Sequence, residues 1–278
     1  MNSEPLTVNE GGRVRPVHCS LFTVLVFLLT PSSLFGQIQD NSFLLEEAYN
    51  QEAGVVQHIS AFQRSSNGGW GYSFTQEWPL GGILHQLSYT VPLEHADGLG
   101  TGLGDLAINY RYQLAGSPEA RTVMAPRLTI LLPTGREERD RGSGGLGIQG
   151  NLPVTLLLSD RLVTHWNLGA TVTPSAKNAV ANEATTLDLN LGASAIWLVR
   201  PALNAVIEAL WLSEESVVGM GQSQREETIL LNPGLRVAFD IGRLQIVPGF
   251  AYTIGLSPGS AEDGVFFYLS FEHPFKRQ

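Results

Sequence analysis

The sequence predicts an all-β protein: a transmembrane antiparallel up-and-down β-barrel of about twelve strands, preceded by an N-terminal signal peptide. Twelve runs alternate apolar with polar residues, which is the period of a β-strand with two different faces. Each run has about ten to thirteen residues, close to the length that a tilted membrane strand needs. The connections switch between short and long, as they do when one end of a barrel carries tight turns.

Residues 1–36 are predicted to be a signal peptide. Arg13 and Arg15 precede the apolar stretch 21–29, and small residues follow as far as Gly36. An uncleaved anchor is the alternative, although the stretch is short for a membrane span. Cys19, the only cysteine, lies inside this segment. The mature chain is therefore expected to lack disulfides, cysteine metal ligands and a cysteine nucleophile.

The first six runs, 55–64, 70–80, 83–93, 103–114, 123–133 and 146–158, show the alternation in chain order. The first and fifth alternate less cleanly than the others. In the other four, the apolar face includes Trp70 and Trp78, Leu87 and Tyr89, Ile108 and Tyr110, and Ile148 and Leu152. Aromatic residues near the run ends are typical of the girdles at both membrane interfaces.

The last six runs are 162–172, 187–199, 203–211, 229–239, 244–254 and 265–275. Their apolar faces include Trp166 and Leu168, Leu189 and Trp197, Ile207 and Trp211, Leu231 and Leu235, Phe250 and Tyr252, and Phe267 and Leu269. The final run resembles the C-terminal signature that the barrel assembly machinery recognises. We therefore expect that machinery and outer-membrane lipid as partners.

The connections sort by length. Short connections are expected at 81–82, 115–121, 159–160, 200–201 and 240–243, and long ones at 94–101, 134–145, 174–185, 213–226 and 256–263. An even number of strands puts both chain ends on the side of the short turns, which for an exported barrel is the periplasm. The loops 134–145 and 213–226 are those we expect to fold inward.

Residues 37–54 precede the first strand. They are interpreted either as a periplasmic lead-in or as a plug, in which a short amphipathic helix sits in the barrel mouth. The barrel itself is assigned to residues 55–278.

Charged residues are expected to face the lumen. A charge facing lipid costs about 2–4 kcal/mol at the membrane midplane. The lumen-lining candidates are Arg111, Arg127, Arg161, His165, Asp188, Glu208 and Arg236. Two roles stay open for them: pairing across the lumen to hold its water, or gating and selecting a solute.

Other classes of site find little support. The net charge of −9 and the presence of only two lysines argue against nucleic-acid binding. The glycines Gly142, Gly144 and Gly147 form a GxGxxG pattern, but a strand rather than a helix follows it, so no dinucleotide site is expected. We predict no metal, no cofactor and no catalytic residue.

Three stretches carry a family resemblance: 41–59 (NSFLLEEAYNQEAGVVQHI), 102–112 (GLGDLAINYRY) and 126–136 (PRLTILLPTGR), followed by 147–154 (GIQGNLPV). They resemble outer-membrane transporter-like β-barrels of the meta-pathway phenol-degradation type. The resemblance implies passage of aromatic or other hydrophobic compounds, and it implies no enzymatic activity. It fixes no binding residue.

The sequence thus predicts a passive channel or facilitator for small solutes, including hydrophobic or aromatic ones, in the outer membrane of a Gram-negative bacterium. Three alternatives stay open: a barrel that binds or adheres through its loops, a lipid-modifying outer-membrane enzyme that pairs His165 with Ser194, and a secreted β-sandwich. The identity of the solute, the open or plugged state of the lumen and the oligomeric state do not follow from the sequence.

Overall fold

The computed structural model describes residues 42–117, 120–257 and 263–275. The predicted signal peptide lies outside the described residues. In the described part of the chain, no helix has the length and apolar character needed to cross a membrane. The strands are β1 (Val55–Ser65), β2 (Trp70–Pro79), β3 (His85–Ala96), β4 (Gly100–Leu103), β5 (Leu106–Tyr112), β6 (Thr122–Met124), β7 (Arg127–Leu132), β8 (Gly147–Ser159), β9 (Leu162–Lys177), β10 (Glu183–Arg200), β11 (Leu203–Gly219), β12 (Gln222–Val237), β13 (Phe239–Ile241), β14 (Leu244–Gly255) and β15 (Gly264–Pro274).

All of these strands belong to one antiparallel sheet that closes on itself. Neighbours along the chain pair with each other, and β1 pairs with β15 from Val55–Pro274 to Ser65–Gly264. The remaining gap is closed by β12 and β14. A closed barrel leaves no unpaired sheet edge, which is the requirement for a β-structure inside a bilayer. The expected all-β barrel is confirmed, and a two-layer sandwich is excluded.

Three barrel strands are interrupted, so the fifteen segments form twelve strands of the barrel. β4 and β5 are separated by Gly104 and Asp105, and both pair with β3. β6 and β7 are separated by Ala125 and Pro126, and both pair with β8. Proline has no N–H to donate to a ladder, which accounts for the second break. β12 and β13 both pair with β14 across the break at Ala238.

The outer wall of the barrel is apolar. Leu168, Trp197 and Leu235 are each more than half exposed there. The residues that alternate with them face the lumen and are polar and buried, as are His165, Asn167 and Thr171 of β9. An apolar exterior around a polar interior is the arrangement of an outer-membrane barrel.

Arginine at Leu168, in the middle of β9, is expected to lower the free energy of unfolding by about 2–4 kcal/mol, because its charge would face the centre of the bilayer. The matched variant Leu158→Arg, next to the turn after β8, should cost only about 0–1 kcal/mol. Urea unfolding in lipid vesicles measures both values. Equal costs at the two positions would contradict the membrane placement.

Most of two predicted long loops, 174–185 and 213–226, is instead strand. β9 to β12 have 16, 18, 17 and 16 residues, and their paired ends extend beyond the other strands. Within 213–226, Ser213 pairs with Glu227 and Val217 pairs with Ser223, so this segment does not fold inward. Residues 213–216 put polar side chains on both faces of the sheet, and the alternation that reveals a strand in the sequence therefore disappears there. Gly221, with φ of 66°, closes this hairpin.

The loop 134–145 packs over the wall at the same end of the barrel. The backbone N–H groups of Gly135 and Ser143 donate to the carboxylate of Asp105, at 3.0 and 2.7 Å. Arg141 is buried against Gly102, where a side chain would face the lumen. The loop therefore covers part of the mouth on the side of the long connections.

Candidate functional site

The inner wall carries polar side chains in register from strand to strand. Asn109 lies between Ser88 and Thr129, and the Thr129 hydroxyl donates to the Asn109 side-chain oxygen at 2.8 Å. The same row continues through Gln149 and Thr171, which are joined by a hydrogen bond of 3.0 Å. The row therefore offers polar contacts across five adjacent strands of the inner wall.

A second row crosses five adjacent strands of the wall and shares β8 and β9 with the first, at another level of the barrel. Its direct cross-strand neighbours are Thr155, His165, Ser194, Glu208 and Asn232, on β8 to β12. All five are buried. They are buried because another part of the same chain lies against them.

That part is residues 42–51, here called the plug. The plug lies inside the barrel as irregular chain with bends at residues 43–45 and 48, so the short amphipathic helix of the plug interpretation does not form. From Gln51 back to Phe43 it contacts, in order, Gln86 of β3, Arg111 of β5, Thr155 of β8, Asn167 of β9, Gly192 of β10, Glu208 of β11, Gly234 of β12, Gly249 of β14 and Tyr268 of β15. The plug therefore follows the inner circumference of the wall.

Glu208 holds one end of the plug. Its Oε1 atom accepts hydrogen bonds from the backbone N–H groups of Phe43, Leu44 and Leu45, at 3.0, 2.9 and 3.1 Å. Its Oε2 atom accepts from Asn232 Nδ2 at 2.7 Å. Because a carboxylate in water-poor surroundings needs such donors, plug and glutamate stabilise each other.

Arg111 and Arg127 hold the other part of the plug. Arg111 donates to the backbone oxygens of Glu47 and Tyr49, at 2.9 and 2.7 Å. It also lies 3.4 Å from the Glu47 carboxylate. Arg127 forms an ion pair with the Glu46 carboxylate. Two successive glutamates of the plug thus meet two arginines of the wall.

Apolar contacts fix the plug between these polar anchors. The ring of Phe43 lies 5.8 Å from that of Phe266 and 6.0 Å from that of Tyr268. Val163 and Ile196 belong to the same buried cluster on the inner wall. The lumen therefore has an apolar region beside its polar rows.

Gly192 makes room for Leu45 of the plug, because a Cβ atom at Gly192 would lie 2.3 Å from Leu45 Cδ2. We expect Gly192→Val to push the plug from the wall and to make channel openings several-fold more frequent. The control is Gly150→Val, since Gly150 has no atom within 4 Å of a Cβ position. Single-channel recording in planar bilayers compares the two variants, and equal opening frequencies would contradict the packing argument.

The structure brings most of the predicted lumen residues together. Those that face the lumen around the plug are Arg111, Arg127, His165, Glu208 and Arg236. Asp188 also faces inward, but it lies nearer the ends of β9 to β12 that extend beyond the other strands, here called the extended hairpins. There its carboxylate accepts a hydrogen bond from the backbone N–H of Glu215 at 2.8 Å. Arg161 does not join them: it is exposed in the turn before β9, because that strand begins one residue later.

Sequence reasoning missed the glutamates Glu46 and Glu47 as site residues. Glu47 and Arg111 are 64 residues apart along the chain, and Glu46 and Arg127 are still further apart. Neither spacing nor periodicity therefore reveals these pairs. The two consecutive acidic residues, eight residues before the first strand, were the available signal.

The wall does not present a lipid-facing catalytic pair at His165. His165 and Ser194 are direct cross-strand neighbours, but both are buried in the lumen beneath the plug. His165 Nδ1 is hydrogen-bonded to Thr155 at 2.7 Å, and Ser42 donates to the Ser194 hydroxyl at 2.7 Å. Within residues 42–117, 120–257 and 263–275, no group of three or more histidine, cysteine or acidic residues is arranged to hold a metal ion.

Comparison with known structures gives the same fold. The COG4313 outer membrane channel from Pseudomonas putida F1 is 14% identical, with a TM-score of 0.56 over 81% of this chain and 97% of that chain. The NanC and KdgM porins are each 7% identical, with TM-scores of 0.49 over 80% of this chain and 100% and 99% of theirs. At 14% identity, the likeness to the COG4313 channel shows a shared fold and nothing further.

Comparison with curated proteins gives no match. A family model, described as "Putative MetA-pathway of phenol degradation", matches residues 35–262. That range covers the plug and all of the barrel up to the connection before its last strand. The chain therefore belongs to this family of outer-membrane β-barrels.

Proposed function

We propose that this protein is a passive outer-membrane channel or facilitator for small solutes, including hydrophobic or aromatic ones. The way in which the barrel wall holds the plug supports this function. The wall closes without it, since β1 to β15 pair with each other and the plug joins no strand. Wall side chains make nearly all of its hydrogen bonds. Closure of the barrel therefore does not depend on the plug, and displacement of the plug would open the lumen without opening the wall.

The surfaces inside the barrel support the solute class. Polar rows on the inner wall suit water and hydroxyl groups, whereas the cluster around Phe43, Phe266 and Tyr268 suits an apolar body. A small aromatic molecule with one polar group would match both surfaces. The family description, which names phenol degradation, agrees with this class.

Two measurements test the proposal. Purified protein in planar bilayers should conduct ions, and a deletion strain should take up phenol or toluene more slowly than its parent. The channel function would be refuted if the purified, folded barrel conducts no ions and the deletion strain takes up phenol and toluene as fast as its parent. Heat-modifiable migration in detergent gels shows that the barrel is folded.

Besides the solute, the proposal includes outer-membrane lipid and the barrel assembly machinery as partners. β15 exposes Phe267 and Leu269 at alternate positions on its outer face. This is the pattern that the predicted C-terminal signature requires. A strain with depleted assembly machinery should accumulate the unfolded form.

The extended hairpins favour a second candidate function, binding through the outer surface. Their tips expose Val180, Val218 and Met220, each at least half exposed. Exposed apolar side chains beyond the membrane are typical of contact surfaces. Shortening the β11–β12 hairpin should then abolish adhesion and leave conductance unchanged. If the protein has no binding role, the shortened variant should adhere no less than the parent.

A further inference from the structure

Two arginines stand side by side on the inner wall. Arg111 and Arg127 are direct cross-strand neighbours on β5 and β7. Arg111 is only 4% exposed, although it carries a permanent charge. Paired guanidinium groups in a confined space are a characteristic binding site for carboxylates, because each offers several N–H donors in one plane.

The plug supplies the anions for this site. Glu46 pairs with Arg127 and Glu47 with Arg111, while Glu77 of the wall lies 3.7 Å from Arg111. With the plug in place, two arginines and three glutamates give a formal charge of −1. Without the two plug glutamates the same group of wall residues has a formal charge of +1. Movement of the plug therefore reverses the sign of the charge at this level of the lumen.

An apolar patch adjoins the two arginines. Ala48 of the plug packs against Val123 and Ala125, and Tyr49 packs at the edge of the same cluster. The backbone oxygen of Tyr49 also accepts a hydrogen bond from Arg111. The plug thus places a carboxylate and an aromatic ring, two residues apart, against a cationic site with an apolar neighbour.

We propose that Arg111 and Arg127 form a binding site for an aromatic carboxylate, which the plug occupies with its own residues Glu47 and Tyr49 until a solute displaces them. The aromatic carboxylate in solution competes with the plug for the same guanidinium groups and the same apolar patch. The proposal rests on the channel function proposed above, because the solute must enter the lumen to reach the site.

Benzoate and its neutral analogue benzamide are the probes, titrated by calorimetry into the full-length mature protein in detergent. In the double variant Glu46→Gln/Glu47→Gln, benzoate should bind at least tenfold more tightly than in the parent, and benzamide should bind equally in both. Adding Arg127→Gln should remove the gain. Glu52→Gln is the matched control, since Glu52 is exposed beside the plug and should change nothing.

Two results would overturn the site: benzoate that binds no better than benzamide in the double variant, or the same gain from Glu52→Gln. If the double variant does not fold, Glu46→Gln alone is used, together with the reversal potential in a salt gradient. That potential should then shift towards anion selectivity, and no shift would refute the proposal. Because calorimetry needs no flux, a barrel that binds benzoate without conducting fails as a channel but keeps the site.

Discussion

Deletion of residues 42–51 is expected to raise the single-channel conductance several-fold and to leave the barrel folded. The wall needs none of these residues, since its closure depends on the β1–β15 and β12–β14 pairs. The side chains that hold the plug are polar and lie in register, so water can replace the lost hydrogen bonds. We therefore expect heat-modifiable migration like that of the parent, with a larger current through each barrel.

A variant with a substituted plug shows whether the current is limited by the presence of chain in the lumen or by the specific contacts of the plug with the wall. Replacing residues 42–51 by a Gly/Ser segment of equal length keeps the volume of chain but removes every anchor. Such a segment behaves as a flexible coil, so the current should fluctuate between the parent and the deletion levels. A deletion variant with the conductance of the parent would show that something other than the plug limits flow.

Much of the barrel can be predicted from the sequence because the bilayer imposes a strict rule. Every strand that crosses lipid must alternate, so runs such as that ending at Leu158 or containing Trp197 stand out. The rule ends where the lipid ends. In Ser213 and its neighbours the strand continues in water, where pairing persists without apolar alternation, and the sequence therefore suggested a loop.

The plug shows a different limit. Residues 43–49 contain apolar and acidic residues at a spacing that suits an amphipathic helix, but the wall offers acceptors for the backbone N–H groups of Leu45, Glu46 and Ala48. The irregular chain of the plug satisfies these groups on the wall, without helical hydrogen bonds. The acceptors lie more than a hundred residues away in sequence, so no local pattern reveals them.

Replacement of Glu208 by alanine is expected to release the plug without deleting it. The variant loses the acceptor for three consecutive backbone N–H groups and for Asn232. A net loss of about 3 kcal/mol is reasonable for hydrogen bonds to one charged group. Such a loss shifts the balance between the bound and the displaced plug roughly a hundredfold. Single-channel recording should therefore show frequent openings to the level of the deletion variant.

Glu208→Gln distinguishes the charge from the shape of the anchor. The amide keeps one oxygen for the N–H groups of the plug but turns an NH₂ group towards Asn232 Nδ2, so donor faces donor. Its opening frequency should lie between those of the parent and the alanine variant. Glu183→Ala, at an exposed glutamate of the extended hairpins, is the matched control and should behave like the parent. If all three variants open equally often, the carboxylate does not hold the plug, and the anchor must lie with the two arginines alone.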